Sequence, residues 1–342
     1  MNNKLAIVIP AFKINFFEAA ISSIANQTCR DFTLYIGNDA SNDDFEAVIY
    51  KYKHLISVTY KKFNKNFGQK DLVGHWERCI EMAGPEEWIW LFSDDDVMDS
   101  NCVESFYTSL NCNGRHFKLY HFNVSQIDME GKVTGSFYSF PDIMTSEEFV
   151  LTRLKKPGNF SVVIEYIFDR SYFSEKGGFV NFDLAWGTDD ATWITLADKA
   201  GIKTIGDAKV YWRKSRFNIT PNNWDKDITK RKLIAQVQFG KWILEKIDNN
   251  ELQIKSKLIK DLLTLWLLRS MKDNTRALSF STIVRLITIF NSILGNNNFP
   301  FRNISLLFSF KVYYYLKVQF VNVITWDSSL IKNNTPINSG NH

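Results

Sequence analysis

Cysteine is scarce: Cys29, Cys79, Cys102 and Cys112 are the whole complement, and none of their spacings suits a zinc or iron–sulfur site. With nothing at the N-terminus resembling a secretion signal, a reducing cytoplasm is the expected compartment. No uninterrupted apolar run reaches the ~20 residues that span a bilayer, so the chain is expected in solution or on a membrane surface, at the inner face of the cytoplasmic membrane. Internal repeats are missing, and the one biased stretch is a polar tail over residues 333–342. The segment PAFKINF, residues 10–16, contains no glycine. That excludes the glycine-rich dinucleotide fingerprint and the P-loop at the first strand, and any phosphate bound there must be held by other means.

The 342 residues are 45% hydrophobic, enough for one large or two modest domains with a real core. The formal charge of +4 conceals an asymmetry, because residues 252–342 hold eleven Lys/Arg against three Asp. The basic surplus is therefore C-terminal. No nucleic-acid recognition module accompanies it, and aliphatic residues dilute the basic ones, so nucleic acid is not an expected partner.

The densest chemistry lies in residues 87–99, EWIWLFSDDDVMD. Five apolar residues, Trp88 to Phe92, suit a strand covered on both faces, and Asp94, Asp95 and Asp96 follow where that strand leaves the sheet. Adjacent carboxylates repel one another. Either they form a solvated acidic turn or a divalent cation relieves the repulsion, and hard oxygen ligands favour magnesium or manganese over zinc.

Strands are predicted over residues 5–12, 33–37, 56–63 and 88–92, with helices between them, the third over 71–83. Asn42 or Asp43 is placed to cap the second helix. Such alternation folds as a parallel sheet with helices on both faces, and ligands bind beyond the carboxyl ends of its strands. Residues 10–13, 38–42, 63–69 and 94–96 all lie there. A cation at the acid cluster can bridge two phosphates, Asp39 can accept from a base N–H, and Phe12 can lie against a flat ring or pack internally. These parts describe a nucleotide-diphosphate site.

IVIPAFK, the helix ending SSIANQT, the strand leading into NDASND, and WLFSDDDV, in that order over about the first hundred residues, resemble the N-terminal half of bacterial family-2 glycosyltransferases. The resemblance implies an α/β GT-A fold, a Rossmann-like, mostly parallel sheet flanked by helices, over residues 1–217. Its nucleotide-binding half covers about 1–100 and its acceptor half about 101–217. It implies inverting transfer of a sugar from a nucleotide-diphosphate sugar to a saccharide or lipid-linked saccharide in surface polysaccharide synthesis. Pro10, Phe12, Asp39 and Asp94 would hold the donor, with Asp94 near the ribose, and Asp95 and Asp96 would ligate the cation. Asn38 and Ser93 stand where the family commonly has acids. A non-catalytic nucleotide-sugar or carbohydrate binder is the alternative in another class; a sugar-phosphate nucleotidyltransferase would need the missing glycine-rich loop.

Beyond the cluster, residues 102–110 and 141–154 read as helices, the second opened by Thr145 or Ser146 ahead of Glu147 and Glu148. Residues 119–124 and 161–168 read as strands. Gly177, Gly178 and Phe179 precede Asp189 and Asp190, which lead into a helix and by pattern alone could simply cap it. The resemblance points to Asp190 as catalytic base, and to Arg213, in VYWRKS, near the donor phosphates. From residue 228 long helices are predicted over 228–247, 254–271, 280–294 and 303–326, forming a helical region over 218–332. The recurrence of Ile254, Leu258, Leu262 and Leu265 suggests an apolar face. Arg285, Arg302, Lys311 and Lys317 interleave with apolar residues, so the stretch 280–326 either packs internally or lies on an anionic membrane. The region supports, dimerises or attaches the sheet domain.

Overall fold

The structure, a computed structural model, describes residues 4–155, 161–216, 218, 225–274 and 277–294. In chain order the elements are β1 (Leu5–Ala11), α1 (Phe17–Ala25), β2 (Phe32–Asn38), α2 (Phe45–Tyr52), β3 (Ser57–Lys62), α3 (Leu72–Ile80), β4 (Trp88–Leu91) and β5 (Val97–Met98). Next come α4 (Cys102–Asn113), β6 (Leu119–Ile127), β7 (Val133–Ser136), β8 (Ile143–Met144), α5 (Ser146–Lys155), β9 (Tyr166–Asp169) and α6 (Arg170–Glu175). The last are α7 (Thr188–Ala197), β10 (Ile202–Arg213), α8 (Lys226–Asp248), α9 (Ser256–Asp273) and α10 (Phe280–Leu294).

One sheet runs β3-β2-β1-β4-β9-β6-β10-β5. The first four strands are mutually parallel, β9 enters antiparallel between β4 and β6, and β10 lies parallel to β6. The mostly parallel sheet flanked by helices is the expected architecture. Its apolar strands are buried on both faces: Leu5, Ile7 and Ile9 share one core with Trp88 and Trp90, while Ala6 and Val8 share the other with Ile89 and Leu91. Side chains alternating at period two account for that division. Helices α1, α2 and α4 cover the first face; α3, α5 and α7 cover the second, whose core continues into α8, α9 and α10. No helix among the described residues is long and apolar enough to cross a membrane.

Local signals account for most boundaries. Asp71 caps α3 by accepting from Gly74 N–H at 2.9 Å. Thr145 and Glu148 form a reciprocal capping box at α5, with Thr145 Oγ1 accepting from Glu148 N–H at 3.1 Å and Glu148 Oε2 accepting from Thr145 N–H at 3.0 Å. Three expectations change. The cap of α2 is Asp44, accepting from Ala47 N–H, rather than Asn42 or Asp43. Residues 161–168 are not one strand: a 3₁₀ turn, Val163–Glu165, precedes β9. The apolar stripe of α9 is Ile259, Leu263, Leu267 and Met271, whereas Leu258 and Leu265 face outward. Leucines occupy both four-residue rows, and packing against α8 selects one. The helix predicted over 303–326, most of the proposed membrane stretch and the polar tail lie outside the described residues.

The α9 register is testable by thermal or denaturant unfolding. Leu263→Ala, at a fully buried position, should cost roughly 2–5 kcal/mol, while Leu265→Ala, at a 44% exposed one, should cost about 0.5 kcal/mol or less. Equal losses would contradict this packing.

Candidate active site

Four strand ends deliver polar residues to one cavity of about 760 Å3. Pro10, Phe12 and Lys13 come from the exit of β1, Asp39 from β2, Asp94, Asp95 and Asp96 from β4, and Trp212 from β10. The volume falls within the ~300–1,000 Å3 of small-molecule sites.

Each member of the acid loop is tied differently. Asp94 Oδ2 accepts from the backbone N–H groups of Phe12 and Lys13, at 2.7 and 2.8 Å. It thereby fastens the glycine-free turn after β1 to the loop after β4. Asp96 Oδ1 accepts from Arg213 N–H at 2.6 Å. Asp95 accepts from Ser93 Oγ and, at 3.2 Å, from Asn218 Nδ2. Burial is the first cause raising all three carboxyl pKa values, that of Asp94 to about 6, and a neighbouring Asp raises Asp94 and Asp96 further. Bringing a cation to this loop would reverse that penalty. Asp95 and Asp96 supply hard oxygen donors suited to magnesium or manganese. Among the described residues no three His, Cys, Asp or Glu side chains converge as a metal cage, so such an ion would take further ligands from water and phosphate oxygens.

Arg213, expected near the donor phosphates, sits directly behind the acid loop. Its guanidinium is buried, donating to the carbonyls of Asp95, Asp128 and Met129 and lying over the Phe16 ring, and it does not line the cavity. It is a strut beneath the acid loop.

Asp39 is 2% exposed. Its carboxylate accepts from Phe67 and Gly68 N–H at 2.7 and 2.8 Å and from the Arg78 guanidinium, holding the 63–68 loop against α3. Of about four lone-pair sites on a carboxylate, one on Oδ2 remains. His75 lies 3.7 Å away, its pKa lowered to about 4, with burial outweighing the Asp39 charge. Gly37 lets α3 approach β2: a Cβ there would meet Cys79 Sγ at 2.3 Å. Asn38, fully buried, donates to Tyr60 Oη and accepts from Ser41 N–H, a pairing of donor and acceptor that an aspartate could not make.

The second acidic pair reaches the same cavity from the first turn of α7. Asp190 Oδ2 accepts from Arg153 at 2.7 Å; its Oδ1 is buried and meets no hydrogen-bond donor among the described residues. Burial raises the Asp190 pKa and the Arg153 charge opposes that rise. Asp189, raised to about 7 by burial and then by Asp190, accepts from Asp190 N–H. Beside them, Glu165 accepts from Ser161 Oγ and is pushed up to about 8 by burial, while Ser161 Oγ also meets Tyr166 Oη at 2.8 Å.

The loop before α7 is strained. Leu184 and Ala185 sit at φ +59° and +54°, each costing roughly 1–3 kcal/mol in a non-glycine residue. Gly187, at φ +88°, packs where a Cβ would lie 3.5 Å from Phe239. Gln236 and Phe239 of α8 and Trp266 of α9 complete the cavity wall. Sequence reasoning missed these three and Arg153: on amphipathic helices they read as packing, and no spacing ties Arg153 to an acid on α7.

Residues 6–163 match the model of "Glycosyl transferase family 2". A Campylobacter jejuni protein, GalNAc(5)-diNAcBac-PP-undecaprenol beta-1,3-glucosyltransferase, is 22% identical over 56% of this chain and 59% of its own. The poly(ribitol-phosphate) beta-N-acetylglucosaminyltransferase TarP of Staphylococcus aureus is 31% identical over 30% of this chain and 32% of its own. The matches thus span about three fifths and one third of those relatives. The crystal structure of S. aureus TarS 1-349 superposes with a TM-score of 0.58 at 11% identity, covering 85% of this chain and 81% of that one. The same protein in complex with UDP-GlcNAc gives 0.57 at 11% identity over 92% of both chains. The matched segment, a little under half of the chain, contains β1 to β4 and the acid loop, which makes residues 6–163 similar to glycosyl transferase family 2.

Proposed function

We propose that the protein transfers a sugar from a nucleotide-diphosphate sugar to a hydroxyl of a saccharide or lipid-linked saccharide acceptor, with inversion, in the synthesis of a bacterial surface polysaccharide. The observation that carries this reading is that two separate acidic groups, Asp94–Asp96 and Asp189–Asp190, line one cavity at the carboxyl edge of the sheet. The relatives act on lipid-linked and polymeric acceptors by name, and TarS has been crystallised with UDP-GlcNAc, which favours a UDP-sugar as donor.

In this reading Phe12, 45% exposed on the cavity wall, lies against the base, beside Pro10. Asp39 accepts a base N–H at its remaining Oδ2 site and Asp94 meets the ribose. A magnesium or manganese ion at Asp95 and Asp96 would neutralise charge developing on the departing diphosphate. Arg213 acts by keeping those two residues in place. On the other side Asp190 Oδ1 takes the proton of the acceptor hydroxyl as its oxygen bonds to the anomeric carbon and the bond from that carbon to the diphosphate breaks. Arg153 fixes Oδ2, leaving Oδ1 as the basic atom, and favours the ionised form that a base requires.

Asp190→Asn should lower turnover by roughly 10²–10⁴-fold with nucleotide affinity retained, measured by diphosphate release and by calorimetry. Turnover at the parent rate would reassign the base. Arg153→Gln removes the cation that opposes the burial shift, so the acidic limb of the pH–rate profile should move to higher pH. An unmoved limb would show that Arg153 does not set this group. Asp95→Asn should abolish manganese-dependent nucleotide binding, and Asp94→Asn should reduce it less; undiminished binding in Asp95→Asn would remove that residue from the ligand set.

A further inference from the structure

The wall formed by α8 and α9 lies outside the matched segment, yet it shares the cavity with Asp189 and Asp190. Trp186, Gln236, Phe239 and Trp266 are its main residues. Loop 182–187, in contact with both α3 and α8, is forced into this wall. Its two left-handed non-glycine residues, Leu184 and Ala185, follow two anchors: Arg231 of α8 grips Asp183 with Nε at 2.8 Å and a terminal nitrogen at 2.6 Å, and the Phe182 ring meets Phe239 edge-on at 6.1 Å. Lys232 lies 4.6 Å over the Trp186 ring. Strain maintained by surrounding contacts in a cavity wall is a mark of a site whose shape is used.

We propose that this wall is a subsite for one pyranose ring of the acceptor, built by the helical region against the strained loop. The proposal rests on the glycosyltransferase reading above and extends it to the substrate face. A pyranose has an apolar C–H face and a polar rim. The indoles of Trp186 and Trp266, both partly exposed, offer flat apolar surface to the first. For the rim there is Gln236: its Nε2 donates to Ser270 Oγ at 2.8 Å, and no described donor meets its Oε1, which leaves an acceptor for a sugar hydroxyl. A hydrocarbon chain would have no use for that amide or for the carboxylates beside it. Continuity with Asp190 puts a ring held here next to the group that takes its proton, whereas Asp39 and Asp94–Asp96 serve the donor.

Saturation-transfer NMR on the full chain tests this directly, with methyl glucopyranoside, methyl N-acetylglucosaminide and octyl glucoside as probes, with and without UDP and magnesium. Ring protons of at least one glycoside should be saturated. Trp186→Leu or Trp266→Leu should weaken that binding about tenfold, the equivalent of one lost aromatic contact. Gln236→Ala should weaken it while the protein still unfolds in a cooperative thermal transition at no more than a modestly lowered Tm, which covers the case in which a tryptophan variant fails to fold. UDP affinity should be the same in all three. No ring saturation, undiminished binding in the folded variants, or saturation confined to the octyl chain would each overturn the subsite. Loss of UDP binding by the parent protein would instead count against the donor site, and the glycoside signal taken without nucleotide still decides the subsite.

Discussion

Three adjacent carboxyl groups at the end of a fully buried strand impose the dominant constraint on this molecule. Desolvation and mutual repulsion both act against them, and the surrounding structure is arranged to hold them nonetheless. Asp94 is pinned by two amides of the β1 exit, and Asp96 by the amide of Arg213 at the end of β10. The Arg213 guanidinium, spent on three carbonyls, locks the same loop from below. The short β5 then pairs with β10, so the chain leaving the acid loop is returned to the sheet immediately. Four strand exits are thereby cross-tied around charges that a cation and a diphosphate would compensate.

The second acidic pair answers a separate requirement. The proposed base, Asp190, must stay ionised although buried and must keep one oxygen unengaged; the Arg153 charge favours the first, and its contact with Oδ2 alone leaves room for the second. The network around Glu165 supplies polar partners to the same buried region, where Ser161 joins Glu165 and Tyr166. Because α5 carries Arg153 and packs on both α7 and α9, the position of Asp190 is linked to the helical region. Sheet and helices share one core on this face, which makes the C-terminal helices part of the site's frame.

The parallel half of the fold was legible because its central strands are apolar on both faces and helix α3 opens on a capping residue, Asp71. The order of polar stations at the strand ends marked Phe12, Asp39, Asp94, Asp95 and Asp96 as neighbours, and the family resemblance pointed to Asp190; all line one cavity. Arg213 was visible as a charge near aromatics, but sequence does not show which way a guanidinium turns, and here three carbonyls claim it. Arg153 and the wall of Gln236, Phe239 and Trp266 were hidden, since each sits on a helix whose periodicity reports only that one side is covered. The α9 stripe was half right for a related reason: Ile254 and Leu262 pack partly against the core while Leu258 and Leu265 face outward, and only contact with α5 and α8 distinguishes the rows. The loop at Leu184 and Ala185 carries no turn signal at all, because its left-handed backbone is imposed by neighbours.

The division of carboxylates between a donor side and an acceptor side of one cavity is the central claim, and stereochemistry tests it most directly. Proton NMR of slow UDP-GlcNAc turnover, with magnesium or with a chelator, would follow the anomeric configuration of the first sugar product. The account predicts cation-dependent release of an inverted anomer; a retained configuration, or turnover indifferent to the chelator, would contradict it.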